Sequence, residues 1–409
     1  MRVFFMLPGL LGLVLAASSC KKSDRIDEDP IVVVVSMDGF RWDYCKHAAT
    51  PHFDKLAETG VRASRMIPSF PTKTFPNHYS LVTGLFPDKH GIINNTFFAS
   101  DLGDLYRIRN REMVKNGACY FGEPIWVSAE KQGILTAPYF WVGSEAVIGG
   151  IRPSYQYFYD GNVPYSDRIE TILKLLALPA EKRPGLLMLY FDEPDAVGHR
   201  YGPDARETRL VIEEMDALLG ELMEGLDALP CAAQINLIVL SDHGMASISP
   251  ERYVNIYDHV DTVLIDDLYG GNPVYLIDAA EGMADSVAGL LNAVHGLGAW
   301  AEADIPAHLH YGSHPRFPDV LVLADSLWSV GTHSDASAYR GGAHGYDPRF
   351  TRMHTIFFAK GPAFRSDGFV HPPFSNVEVY GMLCHILGIE AAANDGDLDR
   401  VMDLFAPEE

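Results

Sequence analysis

Short, largely apolar runs punctuate the chain: Ile31 to Val35, Leu186 to Phe191, Ile235 to Leu240, Val320 to Leu323 and Thr355 to Ala359. The first is wholly β-branched. Runs this short, without polar alternation, suit strands buried on both faces, as the strands of a parallel sheet are. Between them, Thr50 to Glu58, Asp204 to Leu229 and Val377 to Leu387 space their apolar residues as helices do. Strands alternating with helices predict an α/β fold: a central, mostly parallel sheet with helices on both faces. From about residue 253 to 318 the rhythm changes. Strand candidates at Thr262 to Ile265 and Val274 to Ile277 accompany a helix around Ala284 to Val294, which predicts a small α+β insertion.

In parallel α/β sheets, ligands sit beyond the carboxyl ends of the strands. Asp38 follows the first run, Asp192 and Asp195 follow Leu186 to Phe191, and Asp242-His243 follow Ile235 to Leu240. His199 comes four residues after Asp195, and His344 lies in Gly341-Gly342-Ala343-His344-Gly345. Carboxylates mixed with imidazoles suit zinc, whereas calcium and magnesium favour oxygen alone. Each pair also has a local explanation. An Asp-His pair after a strand is a common turn and helix cap, and residues four apart are neighbours on any helix. Convergence on one predicted sheet edge is what favours the metal reading.

The segment Pro71-Thr72-Lys73-Thr74-Phe75-Pro76-Asn77-His78-Tyr79 adds a nucleophile candidate. Pro76 fits the first turn of a helix, so Thr74 lies near a helix N-terminus, where backbone N–H groups and the dipole favour an anion. Thr74 reads either as a capping residue or as a nucleophile. The second role requires a metal ion, because a threonine alkoxide is otherwise inaccessible near neutral pH.

Together these segments resemble the nucleotide pyrophosphatase/phosphodiesterase family of the alkaline-phosphatase superfamily. The resemblance runs from about Val33 to Leu387. It passes through Ser36-Met37-Asp38-Gly39-Phe40-Arg41, Pro71 to Asn95, Gly122-Glu123-Pro124-Ile125-Trp126-Val127 and Tyr139-Phe140-Trp141. It continues through Glu193-Pro194-Asp195 with Gly198-His199, Ser241-Asp242-His243-Gly244-Met245 and Ala343-His344-Gly345-Tyr346-Asp347. The resemblance implies an alkaline-phosphatase-like domain over 31–409 and a phosphodiesterase or nucleotide pyrophosphatase that works through a phosphothreonine at Thr74. It further implies two zinc ions, one held by Asp38, Thr74, Asp242 and His243, the other by Asp195, His199 and His344. Asn95 would donate to a phosphoryl oxygen. Phe75 and Tyr190 match the positions of a base-stacking slot, although either could serve as a core aromatic instead. Stacking tolerates any base, which implies broad nucleotide use; release of nucleoside 5′-monophosphates is what the resemblance implies.

Relatives that prefer phosphate monoesters add cationic side chains, and Gly149 to Asp160 shows no evident cationic pair. Diesters are therefore the expected substrates. The alternatives are a phosphomonoesterase, a phospholipid-headgroup phosphodiesterase, or a catalytically silent binding lipoprotein. Thr74 together with all six other ligand candidates argues against silence.

A hydrophobic content of 47% indicates a globular chain with a substantial core. The net charge of −22 repels polyanions, so general nucleic-acid binding is not expected, while a small phosphate substrate needs only a local cation. At the start of the chain, Arg2 precedes an apolar stretch from Val3 to Ala17, too short to span a bilayer. Its ending, Leu15-Ala16-Ala17-Ser18-Ser19-Cys20, resembles a bacterial lipobox. The expectation is a signal peptide over 1–20, a diacylated Cys20, a polar tether over 21–30 and a lipid-anchored position in the bacterial cell envelope. Ordinary signal cleavage without lipid is the alternative. Cys45, Cys119, Cys231 and Cys384 could pair in an oxidising compartment, but their spacing dictates no pairing. Mass analysis of protein from its native host is expected to find diacylglycerol on Cys20 at the mature N-terminus. A Cys20→Ala variant should lose its membrane attachment, because one site supplies all the lipid; a soluble native protein that begins elsewhere would refute the anchor.

Overall fold

The computed structural model describes Met1 and residues 29–407, so Cys20 and nearly all of the tether lie outside the described residues. Seven strands form the main sheet, in the order Phe369–His371, Val61–Ala63, Phe357–Lys360, Ile235–Leu240, Ile31–Met37, Leu186–Phe191 and Thr136–Tyr139. Ile31–Met37 is parallel to both of its neighbours, with Val33 opposite Leu187 on one side and Leu237 on the other. All of its residues are buried, which is why it carries no polar alternation. Phe357–Lys360 runs against the rest and pairs antiparallel on both sides.

Successive residues of the central strand point into different cores. Val32 and Val34 pack in a cluster with Val82 of the helix Thr74–Thr83, Trp126 of Ile125–Lys131 and Leu383 of Glu378–Leu387. Val33 and Val35 pack on the opposite face with Phe53 of Pro51–Thr59, Ile172 of Tyr165–Leu176 and Leu219 of Arg206–Asp227. In Arg206–Asp227 the buried positions Ile212, Met215, Leu219, Leu222 and Leu226 make one apolar stripe. Each such aliphatic side chain contributes about 1.5–3 kcal/mol by leaving water. The result is a mostly parallel α/β sheet covered on both faces.

A second sheet is antiparallel throughout, in the order Ile265–Gly271, Val274–Ala279, Val320–Ala324 and Leu297–Ala301. Val320 to Leu323 therefore belongs here and not to the main sheet. Val320 and Val322 meet Val287 and Leu291 of the helix Ala284–Asn292, while Leu321 and Leu323 face the core of the larger body. A strand buried on both faces looks alike in sequence whichever sheet holds it. The unit extends past residue 318 to Ala324. Thr262–Leu264 is a 3-10 turn, capped by the Asp261 carboxylate accepting from the Val263 N–H, and the strand begins only at Ile265.

Three main-sheet strands have no signature in the sequence. Val61–Ala63 and Phe369–His371 are too short to show a period. Thr136–Tyr139 contains Pro138, which an edge strand tolerates. Cys45, Cys119, Cys231 and Cys384 are free thiols. Among the described residues, no helix is long and apolar enough to cross a membrane.

Candidate active site

The register of the sheet delivers the acidic loops to one level. Ser36 pairs with Tyr190 and with Leu240, so the chain segments leading to Asp38, Asp192 and Asp242 leave the sheet side by side. Gly39 turns the first of them with φ of +70°, and its N–H donates to Asp242 Oδ1 at 3.2 Å. A Cβ at Gly39 would lie 3.0 Å from Asp195 Cα, so both the conformation and the space require glycine.

Two clusters result, and their ligand-type atoms lie within 4.8 Å of one another in each. In the first, His243 Nε2 lies 3.3 Å from Asp38 Oδ1 and 3.1 Å from Asp242 Oδ2. In the second, His199 Nε2 lies 3.4 Å from Asp195 Oδ1 and 3.1 Å from His344 Nε2. The imidazoles of His243 and His344 stack with centroids 3.5 Å apart, so the clusters adjoin. Thr74 is the first residue of its helix, after an N-cap at Lys73, and so is not the capping residue. Its Oγ1 lies 3.1 Å from His243 Nε2.

The fit of these residues to metal ions follows from their hydrogen bonds. Nδ1 faces a backbone carbonyl in all three imidazoles: Gly244 O at 3.0 Å from His243, Gly342 O at 2.9 Å from His199 and Thr72 O at 2.9 Å from His344. A carbonyl only accepts, so Nδ1 carries a hydrogen, which leaves Nε2 as the nitrogen that a neutral ring would present to a cation. Burial, together with His243, Lys73 and His199, holds His344 well below its ordinary pKa, so its ring is neutral. Asp38 Oδ1, Asp195 Oδ1 and Asp242 Oδ2 are buried without a hydrogen-bond partner. Burial, then the charges of Asp242 and Asp195, push the Asp38 carboxyl well above the usual carboxylate range. Orphaned carboxylate oxygens and opposed lone pairs are costly unless a cation lies among them. Mixed carboxylate and imidazole donors are those that zinc takes. Each cluster fits a divalent cation.

Asp38, Thr74 and Asp195 line a cavity of about 340 Å³ that Phe75, Phe140, Tyr159 and Tyr190 also line. The Phe75 N–H donates to Asn95 Oδ1 at 3.0 Å, which orients the amide and leaves its Nδ2 without a bond to any described residue. Tyr190 does more than form a wall, since its hydroxyl donates to Asp38 Oδ2 at 2.6 Å. Tyr159 is 40% exposed and presents the more open ring. It was missed in sequence because a single aromatic in an irregular segment has no periodic signal; the same segment, Gly149 to Asp160, lacks a cationic pair. Arg109 and Arg111 line the cavity as well, with Arg111 paired to Glu145. A larger cavity of about 460 Å³ lies at the opposite end of the sheet around Ile31, Leu135 and Gly185, with no imidazole or hydroxyl nucleophile in its lining.

Residues 32–347 match the family described as type I phosphodiesterase / nucleotide pyrophosphatase. An uncharacterised pyrophosphatase/phosphodiesterase of Schizosaccharomyces pombe is 36% identical over 387 residues, covering 91% of this chain and 80% of the relative. Ectonucleotide pyrophosphatase/phosphodiesterase family member 3 of Bos taurus is 35% identical, over 90% of this chain and 43% of the relative. The chain thus spans most of the yeast relative and under half of the bovine one. Among solved structures, murine ectonucleotide pyrophosphatase/phosphodiesterase 5 superposes with a TM-score of 0.88 at 33% identity, covering 93% of this chain and all of the other. That structure is an inactive threonine-to-alanine variant in complex with AMP.

The donor sets lead to a metal count. Protein equilibrated with zinc and freed of excess is expected to hold two ions per chain, lost to a chelator and restored by zinc. His344→Ala should bring the count towards one, because losing a ligand from so small a shell weakens binding strongly. Stoichiometric calcium or magnesium with no zinc would contradict the assignment.

Proposed function

This chain belongs to the type I phosphodiesterase / nucleotide pyrophosphatase family, and we propose that it is a zinc-dependent hydrolase of nucleotide phosphodiester and phosphoanhydride bonds with Thr74 as nucleophile. One observation carries the reading. The Thr74 hydroxyl stands at the start of a helix, 3.1 Å from His243 Nε2, in a cavity that Asp38 and Asp195 also line.

Asp38, Thr74, Asp242 and His243 would hold one zinc ion, and Asp195, His199 and His344 the other. Such ions supply charge neutralisation at phosphorus and bring hydroxyl deprotonation within reach near neutral pH. Thr74 Oγ1 forms a bond to phosphorus while the bond to the leaving oxygen breaks. Nucleotide and Thr74 are then joined as a phosphothreonine ester. Water cleaves that ester, releasing nucleoside 5′-monophosphate and restoring the hydroxyl. The Asn95 amide, oriented by the Phe75 N–H, donates Nδ2–H to the phosphoryl oxygen as charge builds on it. The helix N-terminus, free of a side-chain cap, favours the same charge.

Phe75, Tyr159 and Tyr190 form the walls in which a base would stack, and stacking accepts any base. The AMP in the murine neighbour supports a nucleotide substrate. Cys20, outside the described residues, would tether the enzyme to a membrane of the cell envelope, where extracytoplasmic nucleotides are within reach.

Thr74→Ala is expected to abolish turnover of a p-nitrophenyl nucleoside 5′-phosphate diester while leaving the fold intact, since Thr74 lies inside the helix after the N-cap Lys73, where alanine is well accommodated. Thr74→Ser should keep partial activity. Phe75→Ala or Tyr159→Ala should raise KM for that substrate by a factor corresponding to about 1–3 kcal/mol per lost stack, with little change on a small diester lacking a base. Near-wild-type turnover by Thr74→Ala would remove the nucleophile. Faster hydrolysis of p-nitrophenyl phosphate than of the nucleotide diester would overturn the diesterase reading.

A further inference from the structure

One wholly buried imidazole has no part in the chemistry above. His78 lies one helical turn beyond Thr74 on the helix Thr74–Thr83, with no surface exposed to solvent. Its Nδ1 is 2.9 Å from Thr74 O and 3.4 Å from Asp242 Oδ2, and its Nε2 is 2.9 Å from Ser36 Oγ. The ring stands edge-on to Trp141 and Tyr190, each with centroids 5.2 Å away. The Trp141 indole N–H donates to the carbonyl of His78 itself at 3.0 Å. Packing on every side leaves the ring one orientation.

The partners decide where the hydrogen sits. A carbonyl and a carboxylate only accept, so Nδ1 carries a hydrogen that faces both. Ser36, on the central strand, fixes the ring from its other nitrogen. Asp242 Oδ1 receives the Gly39 N–H at 3.2 Å and the Ser241 hydroxyl at 3.3 Å, whereas Oδ2 makes no hydrogen bond and lies 3.1 Å from His243 Nε2 and 3.4 Å from His78 Nδ1. His78 therefore spans the backbone of Thr74 and the free oxygen of Asp242.

We propose that His78 is a positioning residue whose Nδ1–H, hydrogen-bonded to the Thr74 carbonyl, sets its positive end 3.4 Å from Asp242 Oδ2 and so keeps the Thr74 backbone and the Asp242 carboxylate in a constant register, with Ser36 locking the ring. The proposal rests on the reading of Asp242 as a zinc ligand and Thr74 as nucleophile. A ligand braced from its far side holds its ion longer, and a nucleophile tied to that ligand keeps its distance from it. His78 touches neither substrate nor ion and acts through these two residues.

Two substitutions separate the roles of the ring nitrogens. His78→Asn places an amide near the position of Nδ1, and His78→Gln places one near Nε2. Zinc-loaded wild type and variants are challenged with a chelator, and zinc retained per chain is followed beside kcat and KM. In His78→Gln one of the two ions should leave on the order of 10- to 100-fold faster, with kcat reduced and KM unchanged. His78→Asn, which keeps the Nδ1-type donor but loses the contact with Ser36, should retain zinc longer than His78→Gln. Equal retention by His78→Gln and wild type, or equal loss in both variants, overturns the proposal. If His78→Gln does not fold, Ser36→Ala decides: faster zinc loss at unchanged KM supports the bracing, and wild-type retention overturns it. Wild type that takes up no zinc defeats the metal reading and the proposal with it. Two firmly held ions with indifferent variants defeat only the role of His78.

Discussion

Burying several carboxylates at one edge of a sheet sets an electrostatic condition that the surrounding structure has to meet. Asp38 and Asp242 are almost fully withdrawn from water, and each keeps an oxygen with no hydrogen bond. Asp195 adds a third such oxygen beside them. Neutral imidazoles cannot discharge this arrangement, since their Nε2 atoms also present electron pairs. Lys73 reaches the neighbourhood, but its ammonium is committed to the Asn272 carbonyl at 2.6 Å. Divalent cations would resolve the conflict, and in the proposed mechanism the Thr74 hydroxyl beside them is the reactive group.

The fold meets the condition through shared anchors. Parallel strands end at one level and present three acidic loops together. Thr72 then links the Thr74 segment to His344: its carbonyl accepts from His344 Nδ1, its hydroxyl accepts from the Gly345 N–H at 2.9 Å, and it donates to Tyr346 O at 3.0 Å. Two residues later comes Thr74. The second cluster and Thr74 are therefore held by one short segment, and the proposed role of His78 would extend the same tie to the first cluster. Precision of this kind is needed because misplacing reacting groups by about 1 Å can cost roughly 100-fold in rate.

What was legible in the sequence follows the same physics. Ile31–Met37, Leu186–Phe191 and Ile235–Leu240 are buried on both faces, so their composition announces them, and the aspartates just beyond them announce an edge. Val320 to Leu323 was as easy to see and harder to place, because two-sided burial does not say which sheet a strand joins. His344 follows no apolar run. Its position depends on the two-stranded ribbon of Gly341–Ala343 with Ala246–Ile248, which is too short and too glycine-rich for periodicity to reveal. Tyr159 and the bond from Tyr190 to Asp38 depend on tertiary contacts between distant segments, and no local pattern encodes those.

Six proposed ligand residues and Thr74 would form one site for two cations. Anomalous scattering at the zinc edge, from crystals grown with zinc, tests it most directly. Two strong peaks are expected, one among Asp38, Asp242 and His243 next to the Thr74 hydroxyl, the other among Asp195, His199 and His344. Peaks confined to surface residues, or no peak at either cluster, would contradict it.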